Sequence, residues 1–507
     1  MVMAGNLKKD LERIVGADCV STGERDKIAY SRDMWPRNLI LLQCGIHRPY
    51  AADVIVWPSS AAQIASLVRY CTNTGVKIIP YGGGSGVCGG AIPKEGGIIC
   101  DLKRLSAMRD IDTATQTVDV QAGIIGQVLE NELNRQGYSA GHFPESITCS
   151  TVGGWIAARG EGQMSSLYGK IDDMVSKIRL VTMDGEIIET GEFPWKPRGP
   201  SWVQMVIGSE GILGIVVDAR LKVHPLPESR SLRSVRFPSL RSGLRCMREV
   251  MQMGIRPALL KLYDPMDTLL QRFSSAKQAL LLPDFVGKAQ ETLREMGMGE
   301  LFRHPWLVNQ LMKRFGKEIS SGVQMIACFE GPGNIVESEF HLFLSTAKKF
   351  KGSDQGEKIA EKWMQQRYTK SYKQSLVFSS RCFSDTIEVS APWDAVHGIY
   401  DRVTGDLRKR VVTMTNFSHA APHGCSIYFS FAGSAGSDEE MLEKYDTTWQ
   451  TAIRAVIEAG GTLTRHHGIG MLKSSALRDE MGNAFQVLES LKTTFDPGHL
   501  LNPGKLI

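Results

Sequence analysis

A glycine-rich segment is the part of the sequence whose residue types point most directly to chemistry. Residues 80–90 read Pro-Tyr-Gly-Gly-Gly-Ser-Gly-Val-Cys-Gly-Gly and lie between two apolar runs, 76–79 and 97–102. A turn with so few Cβ atoms can adopt positive φ and bring several backbone N–H groups close to one anion. A diphosphate is such an anion, so the segment predicts a dinucleotide-like cofactor. A plain flexible loop is the alternative interpretation of the same glycines.

The residues after these glycines argue against two familiar phosphate loops. The Gly-Lys-Ser/Thr ending of a triphosphate-binding loop is missing. Residues 84–89 match G-x-G-x-x-G, but Pro93 and the Gly96-Gly97 turn then lead into a strand rather than a helix. This order disfavours a Rossmann helix and NAD, and it favours a different flavin or nucleotide fold.

Three further segments have unusual and compact compositions. Residues 144–155 combine a hydroxyl-rich turn with a glycine pair and again offer many donors to an anion. Residues 207–215 place glycines at every third position around one acid, Glu210. Residues 465–470, Arg-His-His-Gly-Ile-Gly, form a basic loop with two adjacent imidazoles.

The elements that must position these segments change in character near residue 230. Before that point, short β-rich runs alternate with helices such as 61–74, which Ser59 and Ser60 precede. After it, strand-like segments are separated by longer helices, predicted over 265–275 and 357–375. The pattern predicts an α+β layer arrangement. A chain of 507 residues is longer than the length at which a single hydrophobic core stops growing, so we expect two domains.

Composition narrows the classes of protein. The net charge of +5 is small and spread along the chain, which disfavours a nucleic-acid partner. The ten cysteines contain no C-x-x-C pair, which is typical of reduced thiols in a cytoplasmic protein and not of a metal site. Residues 1–15 lack the apolar core of a secretory signal, and no run of about 18 apolar residues could span a bilayer. We expect a homodimer.

Together, the four segments resemble the flavin-binding pattern of the vanillyl-alcohol oxidase/p-cresol methylhydroxylase superfamily, the type-4 FAD-linked oxidases. The resemblance runs from about residue 50 to Lys505. It implies a two-domain α+β flavoprotein: an N-terminal helical segment (1–49), an FAD-binding domain of the vanillyl-alcohol oxidase type (50–228), an α+β substrate cap (229–440) and a C-terminal segment that completes the active site (441–507).

The resemblance also implies which residues bind FAD. Residues 80–86 would wrap the diphosphate, residues 145–151 together with 158–161 would line the ribityl chain and isoalloxazine, and residues 210–216 would hold the adenosine side and close the site. The glycine loop has no histidine where covalently flavinylated relatives carry one, so we expect FAD to be non-covalent. The implied cofactor-binding residues are Pro80, Tyr81, Gly82, Gly83, Gly84, Ser85, Gly86, Glu145, Ser146, Ile147, Thr148, Cys149, Ser150, Thr151, Ala158, Arg159, Gly160, Glu161, Glu210, Gly211, Ile212, Leu213, Gly214, Ile215 and Val216.

Two branches of the superfamily compete. One branch is alkylglycerone-phosphate synthase, an ether-lipid enzyme that exchanges an acyl for an alkoxy group. The chain resembles it at residues 141–144, 150–159, 168–175, 329–331, 390–394, 426–429 and 466–470. The D-lactate/glycolate dehydrogenase branch is resembled at 496–497 and 501–505. The second branch implies oxidation of a 2-hydroxyacid or other alcohol, with electrons passed to a partner other than NAD.

The synthase branch implies a catalytic tyrosine on a strand, Tyr428, together with His466 and His467. A tyrosine hydroxyl, with a reference pKa of roughly 10, becomes a useful base only near cationic groups such as an imidazole or Arg465. Its implied role is to take a proton from the carbon next to a ketone. The alternative is a half-buried strand tyrosine beside a solvated loop.

The sequence departs from the synthase at two positions. The substrate-binding arginine of the synthase is Lys261 here, which keeps the charge but loses the bidentate fork that suits a phosphate. A second family arginine has no match in residues 416–424. Both departures weaken the expectation of a phosphate-bearing substrate.

The dehydrogenase branch also fits incompletely. Of the two imidazoles in its metal-binding strand only His419 remains, with Ser426 in place of the other, and His466 replaces a glutamate. We therefore expect no metal. A metal-free oxidation stays open, with His467 or His419 as base and Arg367 binding a carboxylate. Arg367 could equally be a solvated helix charge.

Residues 301–317 combine apolar and basic side chains at helical spacing. A basic amphipathic helix of this kind can lie on a membrane surface and admit a lipid substrate. The alternative is a helix packed on its own domain with a solvated face.

Overall fold

A computed structural model describes residues 4–191, 199–268, 302–305, 309, 322–369 and 374–507. The amphipathic segment 301–317 and the helix expected at 265–275 lie mostly outside these residues, so both stay predictions. Among the described residues no helix combines the length and apolar character needed to cross a membrane.

The helices, in chain order, are α1 Ala4–Val15, α2 Glu24–Ala29, α3 Pro36–Gln43, α4 Ala61–Thr74, α5 Gly126–Arg135, α6 Val152–Ala157, α7 Ser165–Tyr168, α8 Ile171–Met174, α9 Trp202–Val206, α10 Leu240–Gln252, α11 Gly333–Lys349, α12 Lys358–Gln366, α13 Gln374–Ser379, α14 Val396–Leu407, α15 Asp438–Glu458, α16 Ser474–Met481 and α17 Phe485–Phe495.

The strands are β1 Val20–Ser21, β2 Val54–Val56, β3 Ile78–Tyr81, β4 Ile98–Asp101, β5 Thr117–Gln121, β6 Tyr138–Ser139, β7 Val175–Val181, β8 Ile187–Gly191, β9 Ile215–Lys222, β10 His224–Pro225, β11 Ser229–Phe237, β12 Leu259–Tyr263, β13 Val323–Gly331, β14 Ser353–Asp354, β15 Phe383–Pro392, β16 Val412–Ala421 and β17 Gly424–Gly433.

The chain forms two compact units. The first contains Met1–Gln163, Gly169–Leu226 and His466–Ile507, and the second contains Met164–Tyr168 and Pro227–Arg465. The predicted α+β fold class is confirmed, because both units combine helices with sheets.

The first unit contains two four-stranded sheets. One has the order β1-β2-β4-β3, with β2, β4 and β3 parallel. The other has the order β5-β9-β7-β8 and is antiparallel. Parallel strands buried on both faces require continuous apolar runs, which explains the runs that flank the glycine loop. Helix α4 matches its predicted range, and Ser60 caps it because its hydroxyl accepts a hydrogen bond from the Gln63 N–H (3.2 Å).

The second unit has one seven-stranded antiparallel sheet in the order β14-β11-β13-β12-β16-β17-β15. Successive side chains of a strand point to opposite faces of the sheet. On β17 Ile427, Phe429 and Phe431 are buried on one face, whereas Tyr428 points to the other and is partly exposed. The polar face of this sheet therefore carries the candidate catalytic tyrosine.

The C-terminal tail of the first unit is held by a buried ion pair. The Lys492 ammonium lies 2.6 Å from the Asp496 carboxylate and also donates to the carbonyls of Leu501 (2.6 Å) and Ile212 (3.2 Å). The Asp496 carboxylate accepts the backbone N–H groups of Leu500 and Leu501. Leu501 forms a parallel bridge with Ile78, so the pair supports β3, the strand that leads into the glycine loop.

We expect Asp496→Ala to destabilise the protein by about 3 kcal/mol, because removing one partner of a buried pair leaves the other charge uncompensated. Urea unfolding followed by circular dichroism measures the loss. Asp479→Ala, which removes an exposed carboxylate on α16, is the control and should change the free energy of unfolding by less than about 0.5 kcal/mol. A similar small effect of Asp496→Ala would contradict this account of the tail.

Candidate active site

The glycine loop packs directly against the second predicted cofactor segment. Gly84 and Gly89 have φ of +63° and +80°. A Cβ on Gly83 would lie 1.9 Å from the Cys149 carbonyl oxygen, and a Cβ on Gly82 would lie 2.3 Å from the Thr151 hydroxyl oxygen. Only glycine allows this approach, so the loop and residues 149–151 form one continuous surface of backbone and hydroxyl groups.

The second segment is held by its own hydrogen bonds. Thr151 caps α6, because its hydroxyl accepts the Gly154 N–H at 3.3 Å. The Trp155 indole N–H donates to the Ser150 hydroxyl at 2.8 Å. The backbone of Gly126 donates to the Ser150 carbonyl at 2.9 Å. These hydrogen bonds fix the segment beside the glycine loop.

A diphosphate-bearing cofactor fits this surface. Its donors are backbone N–H groups and hydroxyls, which suit an anion, and the close approach of the two segments excludes side chains that would fill the cradle. Tyr81, at the end of β3, is buried and its ring lies 4.8 Å from that of Tyr30. Among the predicted cofactor residues, Ile212, Leu213, Ile215 and Val216 have buried side chains.

Glu210 and Arg159 use their side chains within the protein. The buried Glu210 carboxylate accepts the backbone N–H groups of Ile469 (2.5 Å) and Gly470 (2.8 Å). Glu210 therefore holds the glycines of the histidine loop, 465–470. The Arg159 guanidinium donates to the carbonyl of Ile207 at 2.8 Å and lies 3.2 Å from the Asp172 carboxylate.

A buried polar group lies next to the histidine loop in the first unit. His466 Nδ1 lies 3.6 Å from an oxygen of Glu161, whose side chain is fully buried. The rings of His466 and His467 are perpendicular, with centroids 4.8 Å apart. Two of the predicted catalytic residues thus lie together, beside a glutamate that the sequence resemblance assigned to the cofactor.

His142 belongs to the same neighbourhood, and the sequence analysis included it only within the synthase-like segment 141–144 and not among the site residues. It is buried, its ring lies 4.5 Å from that of Trp155, and neither ring nitrogen has a hydrogen-bond partner among the described residues. Burial lowers the pKa of His142 to about 3, so it is neutral at physiological pH. A lone histidine in an apolar stretch gives no sequence signal of such burial.

The pKa of His142 makes stability depend on pH. Below pH 6.5 the unfolded chain binds a proton that the folded protein does not bind until about pH 3. Stability should therefore fall as the pH falls through this window, by up to about 1.4 kcal/mol per pH unit from this group. His142→Phe, which keeps a ring beside Trp155, should flatten the slope between pH 6.5 and 5 in urea unfolding. The exposed His47→Phe is the control, and equal slopes for wild type and His142→Phe would contradict the assignment.

In the second unit, one cationic group, the Lys261 ammonium, and the imidazole of His419 lie near the ring of Tyr428. The Lys261 ammonium lies 5.7 Å from the centroid of the Tyr428 ring, and the His419 ring lies 5.9 Å from it. The Arg465 guanidinium donates to the His419 carbonyl at 3.1 Å. Nearby positive charge favours the phenolate form of a tyrosine, so this arrangement suits proton transfer.

His419 owes its position to an irregularity in β16. The register with β17 shifts between Ser418 and Ala421, and His419 has φ of +49°. Bulges of this kind re-aim a side chain, and positive φ in a residue other than glycine is uncommon. The Ser165 hydroxyl and His419 Nδ1 lie 2.9 Å apart. Four predicted residues, Lys261, His419, Tyr428 and Arg465, therefore lie together in this unit.

Glu388 is a further residue that the sequence analysis missed. It is fully buried on β15, directly opposite Tyr428 in the register. Its carboxylate accepts hydrogen bonds from the Arg465 N–H and the Thr464 hydroxyl, both at 3.0 Å. Glu388 thereby fixes the segment that precedes His466. A single acid between Ile387 and Val389 was the available signal.

Arg367 follows the end of α12 and is half-buried. Its guanidinium lies 4.7 Å from the centroid of the neighbouring Tyr368 ring, and Nη1 lies 2.7 Å from the Met364 sulfur. These contacts are local, and its role in binding substrate stays a prediction. Within the described part of the chain, no cluster of three or more His, Cys, Asp or Glu side chains could hold a metal ion.

Comparison with known families defines the class of protein. Residues 52–191 match the FAD binding domain, and residues 226–506 match the C-terminal domain of FAD linked oxidases. The protein is an FAD-dependent enzyme. The chain belongs to the family of FAD-linked oxidases, which confirms the resemblance found in the sequence.

Named relatives fall on both branches. The alkyldihydroxyacetonephosphate synthase of Trypanosoma brucei brucei is 27% identical over 94% of this chain and 75% of its own length. The glycolate oxidase subunit GlcD of Bacillus subtilis is 24% identical over 99% of this chain and 96% of its own. A solved structure of alkyldihydroxyacetonephosphate synthase superimposes with a TM-score of 0.77 at 23% identity, covering 98% of this chain and 84% of that one.

Proposed function

We propose that this enzyme acts as an alkylglycerone-phosphate synthase, exchanging the acyl group of acyl-dihydroxyacetone phosphate for an alkoxy group from a fatty alcohol. Its first step would be removal of a proton from the carbon next to the ketone. The observation that carries the proposal is Tyr428, held with Lys261 and His419 close to its ring. The relatives named as synthases support the same reaction.

In this proposal Tyr428 takes the proton as phenolate, and the Lys261 and Arg465 charges lower the cost of forming that phenolate. His466 and His467 donate or accept the protons of the departing fatty acid and entering alcohol. Glu388 positions Arg465, since its carboxylate accepts a hydrogen bond from the backbone N–H of Arg465. FAD, when bound, would supply an electrophilic ring nitrogen to the site.

The cofactor would be held without a covalent bond by residues 80–86, 145–151, 158–161 and 210–216. The proposal further places the enzyme in the cytoplasm as a homodimer, with residues 301–317 as a peripheral contact through which a lipid substrate leaves the membrane. These assignments rest on the family resemblance and on the basic and apolar side chains of that segment.

A second candidate is the metal-free oxidation of a 2-hydroxyacid. The absence of both synthase arginines, with Lys261 in place of one and no match for the other in residues 416–424, weakens the case for a phosphate-bearing substrate and so favours this candidate. In this reaction the hydroxyacid loses two electrons and two protons to FAD and becomes a ketoacid. A separate acceptor must then reoxidise the flavin.

Anaerobic mixing of the purified holoenzyme distinguishes the two candidates. With acyl-dihydroxyacetone phosphate and a labelled fatty alcohol, we expect labelled alkyl product and an equal amount of released fatty acid. The flavin absorbance band should end the reaction in its oxidised form, because the exchange has no net redox change. Loss of that band with D-lactate, glycolate or D-2-hydroxyglutarate, but not with propionate, would reject the synthase proposal and support the oxidation.

A further inference from the structure

The polar face of the sheet in the second unit contains a buried amide between two tyrosines. Tyr263 on β12 pairs with Asn416 on β16, and Asn416 pairs with Tyr428 on β17. These three residues form a row across adjacent strands, so their side chains lie on the same face.

The Lys261 ammonium spans this row. Lys261 precedes Tyr263 by two positions and therefore shares its face. Its Nζ lies 5.8 Å from the centroid of the Tyr263 ring and 5.7 Å from that of Tyr428. The positive charge is thus held between the two tyrosines that flank Asn416.

The Asn416 amide is buried, with 8% of the residue exposed, and its Oδ1 has no hydrogen-bond partner among the described residues. An unpaired buried polar atom is unfavourable, and such atoms are rare in folded proteins. An amide can present oxygen to a hydroxyl or NH₂ to a carbonyl or an anion. A ligand that supplies one of these groups beside the ammonium would satisfy it.

We propose that Asn416 is a specificity-determining residue of the subsite where the family resemblance places the substrate's anion on Lys261, and that its amide pairs with a hydroxyl or carbonyl group on the carbon next to that anion. Lys261 holds the anion as a point charge, and Asn416 pairs with the second oxygen and determines specificity. The inference deepens the proposed function and rests on its placing the substrate beside Tyr428. The phosphate of a ketone phosphate and the carboxylate of a 2-hydroxyacid share this chemistry.

The test measures binding to the holoenzyme by calorimetry and by perturbation of the flavin spectrum. The probes are dihydroxyacetone phosphate and D-lactate, with flavin reduction by D-lactate recorded separately. We expect at least one probe to bind. We expect Asn416→Asp to raise its Kd at least 30-fold, because a carboxylate then faces the anion, and Asn416→Leu to raise it about tenfold, the effect of one lost hydrogen bond. Lys261→Met should abolish binding.

Asn334→Asp is the matched control, since Asn334 is exposed on α11 in the same unit, and it should leave the Kd unchanged. Flavin content and melting temperature report whether each variant is folded. If one Asn416 variant fails to fold, the other decides, because the two change the charge of the site differently. The probe whose Kd changes identifies the anion as a phosphate or a carboxylate.

Unchanged binding in a folded Asn416 variant overturns the proposal, as does failure of both probes to bind the wild type. The outcome is separable from that of the proposed function. If the enzyme does not catalyse acyl exchange but its anion binding still depends on Asn416, the subsite is supported and the proposed function is rejected. If the enzyme catalyses acyl exchange but its anion binding does not depend on Asn416, the proposed function is supported and the subsite is rejected.

Discussion

Tyr428→Phe is expected to lower turnover by about 10³-fold, within the range contributed by general acid–base groups, while FAD stays bound. The substitution removes only the hydroxyl, and the ring still packs between Lys261 and His419. The loss should appear in kcat rather than in substrate binding, because proton transfer and not recognition is removed. Single-turnover measurements with acyl-dihydroxyacetone phosphate, together with the flavin absorbance of the purified variant, provide the readout.

Tyr400→Phe is the matched control for this substitution. Tyr400 is a buried tyrosine of the same unit whose hydroxyl donates to Asp264 at 3.1 Å. Its loss should cost about 1 kcal/mol of stability and leave turnover intact. If Tyr428→Phe retained full activity, Tyr428 would be a structural residue, and the proton would have to be taken by another group such as His419 or His467.

Gly83→Ala is expected to yield protein without FAD. Its Cβ would lie 1.9 Å from the Cys149 carbonyl oxygen and 3.2 Å from the Ser150 Cα. Both contacts are with backbone, so no side-chain rotation relieves them, and the loop must move away from residues 149–151. Because both segments are expected to contact the cofactor, we expect the Kd for FAD to rise at least 100-fold, measured by fluorescence titration of the apoprotein.

Gly90→Ala tests whether the effect belongs to the contact rather than to any added methyl group. A Cβ at Gly90 meets nothing nearer than a Glu210 carboxylate oxygen at 3.8 Å, an ordinary contact. This variant should bind FAD like the wild type and keep its melting temperature. Equal FAD affinity in the Gly83 and Gly90 variants would show that residues 149–151 do not shape the cofactor site.

The chemistry of the segments and the type of several local elements could be predicted from the sequence. A glycine-rich turn predicts a backbone site for an anion, because the conformational freedom of glycine is a local property of the chain. The continuous apolar runs 76–79 and 97–102 likewise indicated the regions of β3 and β4, and the pattern over 61–74 predicted the helix α4. The FAD-binding class followed from the resemblance of four such segments to the type-4 FAD-linked oxidases.

Which distant residues meet depends on the folded structure. Glu388 and Arg465 are far apart in the chain, and the antiparallel bridge between Ser390 and Thr462 brings their segments together. The sequence also does not indicate that Asn416 Oδ1 lacks a hydrogen-bond partner among the described residues, or that the His142 imidazole is buried. The burial of a side chain and its hydrogen-bond partners depend on packing between residues that are distant in the chain. Secondary-structure propensity and residue spacing reflect only interactions between neighbours along the chain.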